Sequence, residues 1–194
     1  MAACQDTLVK GVQATCNALK RVGGISEDVW LGAVDDLAAV TFGTYNEITS
    51  FTWKSTKGFV KYKGKREKNS SGSDIEPGEN VNLRNQTLNM AIYYETAEDL
   101  DTIDKLIDAQ KVFAVVLTNP GSLEVFGINK VNFQNYGLKA TTNPQSSGLL
   151  LNDVTAFQMA LSGGFTNLQL IYKEGTALAT AIAALDAQTI DLGS

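Results

Sequence analysis

The chain has 194 residues, 44% of them hydrophobic and 19% charged, a composition that fits one globular domain with small appendages and excludes a disordered chain. It contains no histidine, which removes the commonest general base, the Ser-His and Cys-His nucleophile pairs and His-ligated zinc. The formal net charge of -5 conceals a division: residues 54–68 hold seven basic residues and one acid, Glu67, so this span carries +6 and the remainder -11.

Residues 5–22, QDTLVKGVQATCNALKRV, place Leu8, Val12, Cys16 and Leu19 at helical spacing, and Gly23-Gly24 stops the run. Such a helix either docks on the domain or reaches a neighbouring subunit. Its cysteines, Cys4 and Cys16, would stand about 18 Å apart at the helical rise of 1.5 Å per residue. A disulfide needs Cα atoms within about 7 Å, so reduced thiols and intracellular synthesis are expected. The start of the chain shows no apolar signal-peptide region, and no apolar run reaches the 18 or so residues of a membrane span.

From Asp28 onward the runs are short and β-like. VWLGAV and AAVTFG come first. EITSFTW follows, with Ile48 on one alternating face and Thr49, Phe51 and Trp53 on the other. GFVKYKGK puts Val60 and Tyr62 on one face and Lys61, Lys63 and Lys65 on the other. After a polar stretch, TLNMAIYY alternates again, with Leu88, Met90, Ile92 and Tyr94 sharing a face. VKYKGK and TLNMAIYY therefore read as two arms of a long hairpin whose connection, about 66–81, far exceeds the usual few residues.

TAEDLDTIDKLIDAQK is the clearest helix. Thr96 is a suitable N-cap with Asp99 three residues on, and Leu100, Ile103, Leu106 and Ile107 form one apolar stripe. Asp101, Asp104 and Asp108 line another flank and read as a solvated face rather than a metal site. VFAVVLTN and SLEVFGIN form a hairpin closed by Pro120-Gly121. VNFQNYGL, the segment from Gly148 to Gly164 and TNLQLIYK supply further strands, with SSG and SGG read as turns. An alanine-rich helical tail, TALATAIAALDAQ, ends the chain.

The fold class expected is mainly β: a sandwich or barrel with one flanking helix at about 97–110, a long hairpin loop at about 66–81 and helical terminal segments. The expected organisation is an arm over 1–24, the β domain over 25–174 and a tail over 175–194. No Walker A loop, GxGxxG, GxSxG or CxxC is present. The expectation is a protein that is not an enzyme, with no catalytic, cofactor-binding or metal-binding residue and no cofactor.

The order of strands, long hairpin, helix and further strands, with the run from Ser122 to Gly163 (SLEVFGINK through FQMALSG), resembles the tail-tube or ring-forming structural proteins of tailed bacteriophages. That family shares its fold with the inner tubes of contractile injection systems. The resemblance is one of architecture and texture over roughly residues 30–175. It implies a β-sandwich or barrel with one flanking helix, a loop that reaches the next ring and terminal arms that touch neighbours. It implies partners too: copies of the chain itself in a ring, a hexamer, with other tail or connector proteins and with DNA only as passing cargo. The setting implied is a virion assembled in the host cytoplasm. The long N-terminal helix departs from the usual pattern and leaves a connector, stopper or capsid-associated ring open.

Under that reading Lys61, Lys63, Lys65, Arg66 and Lys68 meet acidic groups on a neighbour, and Asp74, Glu76 and Glu79 form an acidic tip. The stretch from Asn69 to Asn80 is the adaptable contact, and deleting Ser70–Gly78 is expected to spare folding and impair assembly. Two other readings stand beside it. One is a nucleic-acid module using the Lys54–Lys68 patch with Tyr45, Phe51, Trp53, Phe59 and Tyr62, although most of these rings alternate with the lysines and are expected in the core. The other is a carbohydrate- or ligand-binding β-sandwich on a virion.

Overall fold

The computed structural model describes residues 24–63, 69–77, 82–92, 96–142, 145–146, 156–175 and 177–190. The expected N-terminal helix lies outside them. Among the described residues the protein is mainly β, with two sheets and two α-helices. The first sheet has seven strands in the order β2 (Leu37–Phe42), β3 (Glu47–Trp53), β12 (Leu170–Tyr172), β8 (Leu123–Phe126), β7 (Val112–Thr118), β1 (Ile25–Ala33) and β4 (Val60–Lys63). The second runs β10 (Gln145–Ser146), β11 (Ala156–Phe165), β6 (Leu83–Ile92) and β5 (Ser70–Glu76), with β9 (Lys139–Thr142) also paired to β11. Helix α1 spans Ala97–Asp108 and α2 spans Leu178–Ala187. β2 and β4 do not pair with each other, so the first sheet is open and not a closed barrel.

The VFAVVLT run of β7 explains why there are two cores. An unbroken apolar strand is buried on both faces. Val112, Ala114 and Val116 face one way, onto Leu88, Met90 and Ile92 of β6, Leu161 and Phe165 of β11, and Ile103 and Leu106 of α1. Phe113 and Val115 face the other way, with Trp30, Phe51, Phe59, Tyr172 and Leu185 of α2. Each buried Val, Leu, Ile, Phe or Met among them contributes roughly 1.5–3 kcal/mol by leaving water. The α1 stripe is confirmed at Ile103 and Leu106, while Leu100 stays exposed at its margin.

Several sequence expectations need correction. β4 and β6 are not arms of one hairpin: β4 pairs with β1 in the first sheet, and β6 pairs with β5 and β11 in the second. The polar stretch contains β5, which pairs residue by residue with β6 from Ser70↔Asn89 to Glu76↔Leu83. Polar side chains hold this Ser- and Gly-rich strand in place. Asn69, buried just before it, accepts from the Ala91 N–H at 3.0 Å and donates to the Ser26 carbonyl at 3.3 Å. Ser73 Oγ donates to Gln169 Oε1 at 2.9 Å, and Asn85 Nδ2 donates to Glu76 Oε2 at 2.8 Å.

The SGG at Ser162–Gly164 is no turn, because β11 runs through it to Phe165, opposite Arg84. A Cβ on Gly163 would stand 2.7 Å from the Gly137 carbonyl oxygen, so glycine there permits close backbone approach rather than reversal. VNFQNYGL forms a 3-10 turn at Phe133–Asn135, and only its Leu138 joins a sheet, by a bridge to Val112. In β3, Thr41 faces Ser50 but Phe42 faces Ile48, so Thr49 is the extra residue of a bulge. The bulge brings Ile48 into the same core as Phe51, against the strict alternation expected from sequence.

Candidate functional site

Lys61 is the most constrained of the predicted contact residues. Its Nζ lies 3.3 Å from Asp28 Oδ2, 3.1 Å from Asp186 Oδ1 and 4.8 Å from the Trp30 ring centre. Burial alone would lower its pKa, but the carboxylates of Asp186 and Asp28 together outweigh burial and hold the ammonium above its ordinary value. Lys61 therefore meets acids of its own chain. Lys63 is exposed on the same strand. Lys65, Arg66, Lys68 and Glu79 lie outside the described residues. Asp74 and Glu76 are exposed on β5. The structure thus places the basic and acidic candidates on the outer strands of two different sheets, β4 and β5.

Lys54 and Lys57, at the start of the basic span, are also engaged within the chain. Lys54 Nζ donates to the Asp35 carbonyl at 2.5 Å, and Lys57 pairs with Asp36 at 3.4 Å. The nearby aromatics are packed together: Phe51, Phe59 and Phe113 touch one another, and Trp53 stands against Phe59 and Phe113. These rings fill the second core instead of offering faces for bases. Tyr62 borders the first core, and burial pushes its phenol up to about 12. Only Tyr45 of the five stands well out in solvent.

The C-terminal segment is latched over this region. Trp53 Nε1 donates to Gln188 Oε1 at 2.9 Å. The Phe59 N–H donates to the Gln188 carbonyl at 2.9 Å, and the Ile190 N–H donates to the Phe59 carbonyl at 2.8 Å. The tail therefore adds a short parallel bridge to the chain just before β4. Beside it, a groove of about 510 Å³ lies between β4 and α1, floored by Val60, Tyr62, Leu106 and Val112.

A corner of exposed apolar side chains has no counterpart in the sequence reading. Tyr45 is 75% exposed, Val131 89% and Leu168 45%. Hydrogen bonds hold their loops together. Lys130 Nζ donates to the Tyr45 carbonyl at 2.7 Å, the Lys130 N–H donates to Asn167 Oδ1 at 3.0 Å, and Asn129 Nδ2 donates to Thr166 Oγ1 at 3.0 Å. Asn129 Oδ1 in turn accepts from the Val131 N–H at 2.9 Å. Arg84 Nη1 ties β6 to the same corner through the Thr166 carbonyl at 2.9 Å. Opposite Arg84 stands Ile75, 66% exposed on β5. The stretch around Val131 reads as a strand in sequence, which hid this surface.

Glu124 is half-buried, and that burial raises its pKa. It lies in a crevice of about 340 Å³ with Ser71, Thr118 and Ser122. Among the described residues no three His, Cys, Asp or Glu side chains are grouped to hold a metal, and no helix is long and apolar enough to cross a membrane. No family model matches the chain, and no curated protein or solved structure matches it either.

Proposed function

We propose that this chain is a structural subunit that assembles with copies of itself, and that its setting is the virion of a tailed bacteriophage, as a tail-tube or head–tail ring protein. The observation that carries self-assembly is the corner of Tyr45, Val131, Leu168 and Ile75. Tyr45, Val131 and Leu168 are exposed on loops joined by hydrogen bonds, and Ile75 is exposed on β5 opposite Arg84, which is bonded to the same loops. Exposed apolar side chains gathered on neighbouring loops support a protein contact. The virion setting rests on the architectural resemblance of the sandwich with its flanking helix. A ring hexamer, contacts to other tail proteins and passage of DNA belong to the same proposal.

Light scattering on the full chain across a wide concentration range, followed by electron micrographs of the highest concentration, tests it. Concentration-dependent association into rings or tubes is expected. A monomer at every concentration, with no rings or tubes, overturns it. The nucleic-acid reading draws less support, because Lys54, Lys57 and Lys61 are engaged by their own chain.

A further inference from the structure

Among the described residues each sheet ends on the side of the polar stretch in a strand that pairs with a named strand on one side only: β4 in the first sheet and β5 in the second. The direction of β4's backbone can be read from Phe59. Its N–H and carbonyl bond to Gln188 and Ile190, on the side away from β1. By the two-residue period of a strand, the N–H and carbonyl groups of Lys61 and Lys63 face that same side. The tail shows that this edge accepts a strand, and among the described residues it bonds there at Phe59 alone.

The side chains of the two edges complement each other at the same period. On β4, Tyr62 turns toward the first core, while Lys61 turns the other way, over Trp30 of the second. On β5, Ser71, Ser73 and Ile75 lie opposite Leu88, Gln86 and Arg84, so they share the inward face of β6. Asp74 and Glu76 take the outward face. We propose that the outer edge of β4 in one copy pairs with the outer edge of β5 in the next. The first sheet of one molecule then continues into the second sheet of its neighbour. This rests on the self-assembly reading above and adds the two strand edges to the exposed corner, with Ile75 common to both.

In such a pair the faces align. Lys63 meets Asp74 and Glu76 on one side. Ile75 lies over Val60 and Tyr62, at the mouth of the groove between β4 and α1. Slipping by one residue would set Ile75 against lysine and Asp74 against tyrosine, so the alternation specifies the register. The pairing also gives cover to Ile75, which the single copy leaves in water. Because the two edges differ, the contact is heterologous and propagates until a ring closes.

Lysines on an edge strand can serve the opposite purpose, blocking unwanted pairing. The two roles predict opposite outcomes, and Lys63 and Asp74 are both exposed, so substitutions there leave the cores intact. Lys63→Glu alone and Asp74→Lys alone should each weaken association about tenfold by light scattering. Mixing the two variants should restore it. The carboxylate introduced on β4 of one variant then faces the ammonium introduced on β5 of the other, and each copy's unchanged edge still finds its native complement. Circular dichroism melts of both variants should match the parent and exclude misfolding. Unchanged or tighter association of Lys63→Glu, or no rescue on mixing, overturns the β4–β5 pairing while leaving self-assembly intact. A parent chain that never associates overturns both.

Discussion

Trp30 donates its indole Nε1–H to Asp186 Oδ1 at 2.9 Å, and the same oxygen lies 3.1 Å from Lys61 Nζ. One carboxylate of the last helix thus anchors β1 and β4 together. The helix needs such anchors. Among its described residues only Ala181 and Leu185 are buried, so its apolar packing is thin. Trp53 and Gln188 repeat the device just beyond the helix end.

Asp186→Ala removes both contacts and should cost about 1.5–3 kcal/mol, the range for a hydrogen bond to a charged partner. Asp186→Asn keeps an acceptor for Trp30 and loses only the ion pair, so most of the stability should return. Urea unfolding followed by tryptophan fluorescence measures both. Equal losses in the two variants would show that the ion pair, and not the indole bond, holds the tail.

The deletion of Ser70–Gly78 now carries a different expectation from the one its polar composition suggests. It removes the whole of β5, breaks the Ser73–Gln169 bond and uncovers β6 along the edge that β5 paired. An uncovered edge of a core strand is a template for aggregation. The deleted chain should be poorly soluble and melt at a lower temperature than the parent. A soluble deletion product with an unchanged melting curve would show that β5 contributes nothing to the fold.

What could be read from sequence follows the strength of each local signal. β7 was legible as a short unbroken apolar run bounded by a Pro-Gly turn, and α1 because its apolar residues recur at the helix period. β5 was not, because SSGSDIE has one large apolar residue and its strand is held by side-chain bonds of Asn69, Asn85 and Gln169 that no local apolar pattern announces. The bulge at Thr49 hid the true face of Ile48 for the same kind of reason: the partner strand, not the strand itself, decides where the extra residue goes. The contact candidates were found by charge alone. Charge located Lys61 but could not show that Asp28 and Asp186 hold it from its own chain.

Gly32 sits where Trp53 and Phe113 converge. A Cβ there would stand 2.6 Å from Trp53 Cη2 and 2.6 Å from Phe113 Cε1. Both rings are fixed by further aromatic contacts, Trp53 by Phe59 and Phe113 by Phe51 and Phe59, so neither can move freely aside. Gly32→Ala should destabilise by about 1–3 kcal/mol, the range for overpacking a dense core. A thermal melt checks it, and a neutral substitution would mean that the aromatic cluster has slack.

Alkaline pH should loosen the same region before the rest. Burial pushes the Tyr62 phenol from 10.0 up to about 12. Burial, with Glu174 accepting its hydrogen bond, also raises Tyr172, and Asp186 and Asp28 raise Lys61 against its burial. All three groups therefore keep their protons in the folded chain at pH values where the unfolded chain has lost them. Each contributes stability that is fully present below its unfolded pKa and is lost as pH rises through the folded one. For Tyr62 that window runs from about pH 10 to about 12, and the loss reaches at most roughly 2.5 kcal/mol at its top. Tyr62→Phe retains the ring and removes the proton, so its melting temperature should fall less steeply than the parent's between about pH 9 and 11.5. Parallel curves for the two proteins would mean that the phenol is hydrated in the folded state and that the β4–α1 groove admits water to its floor.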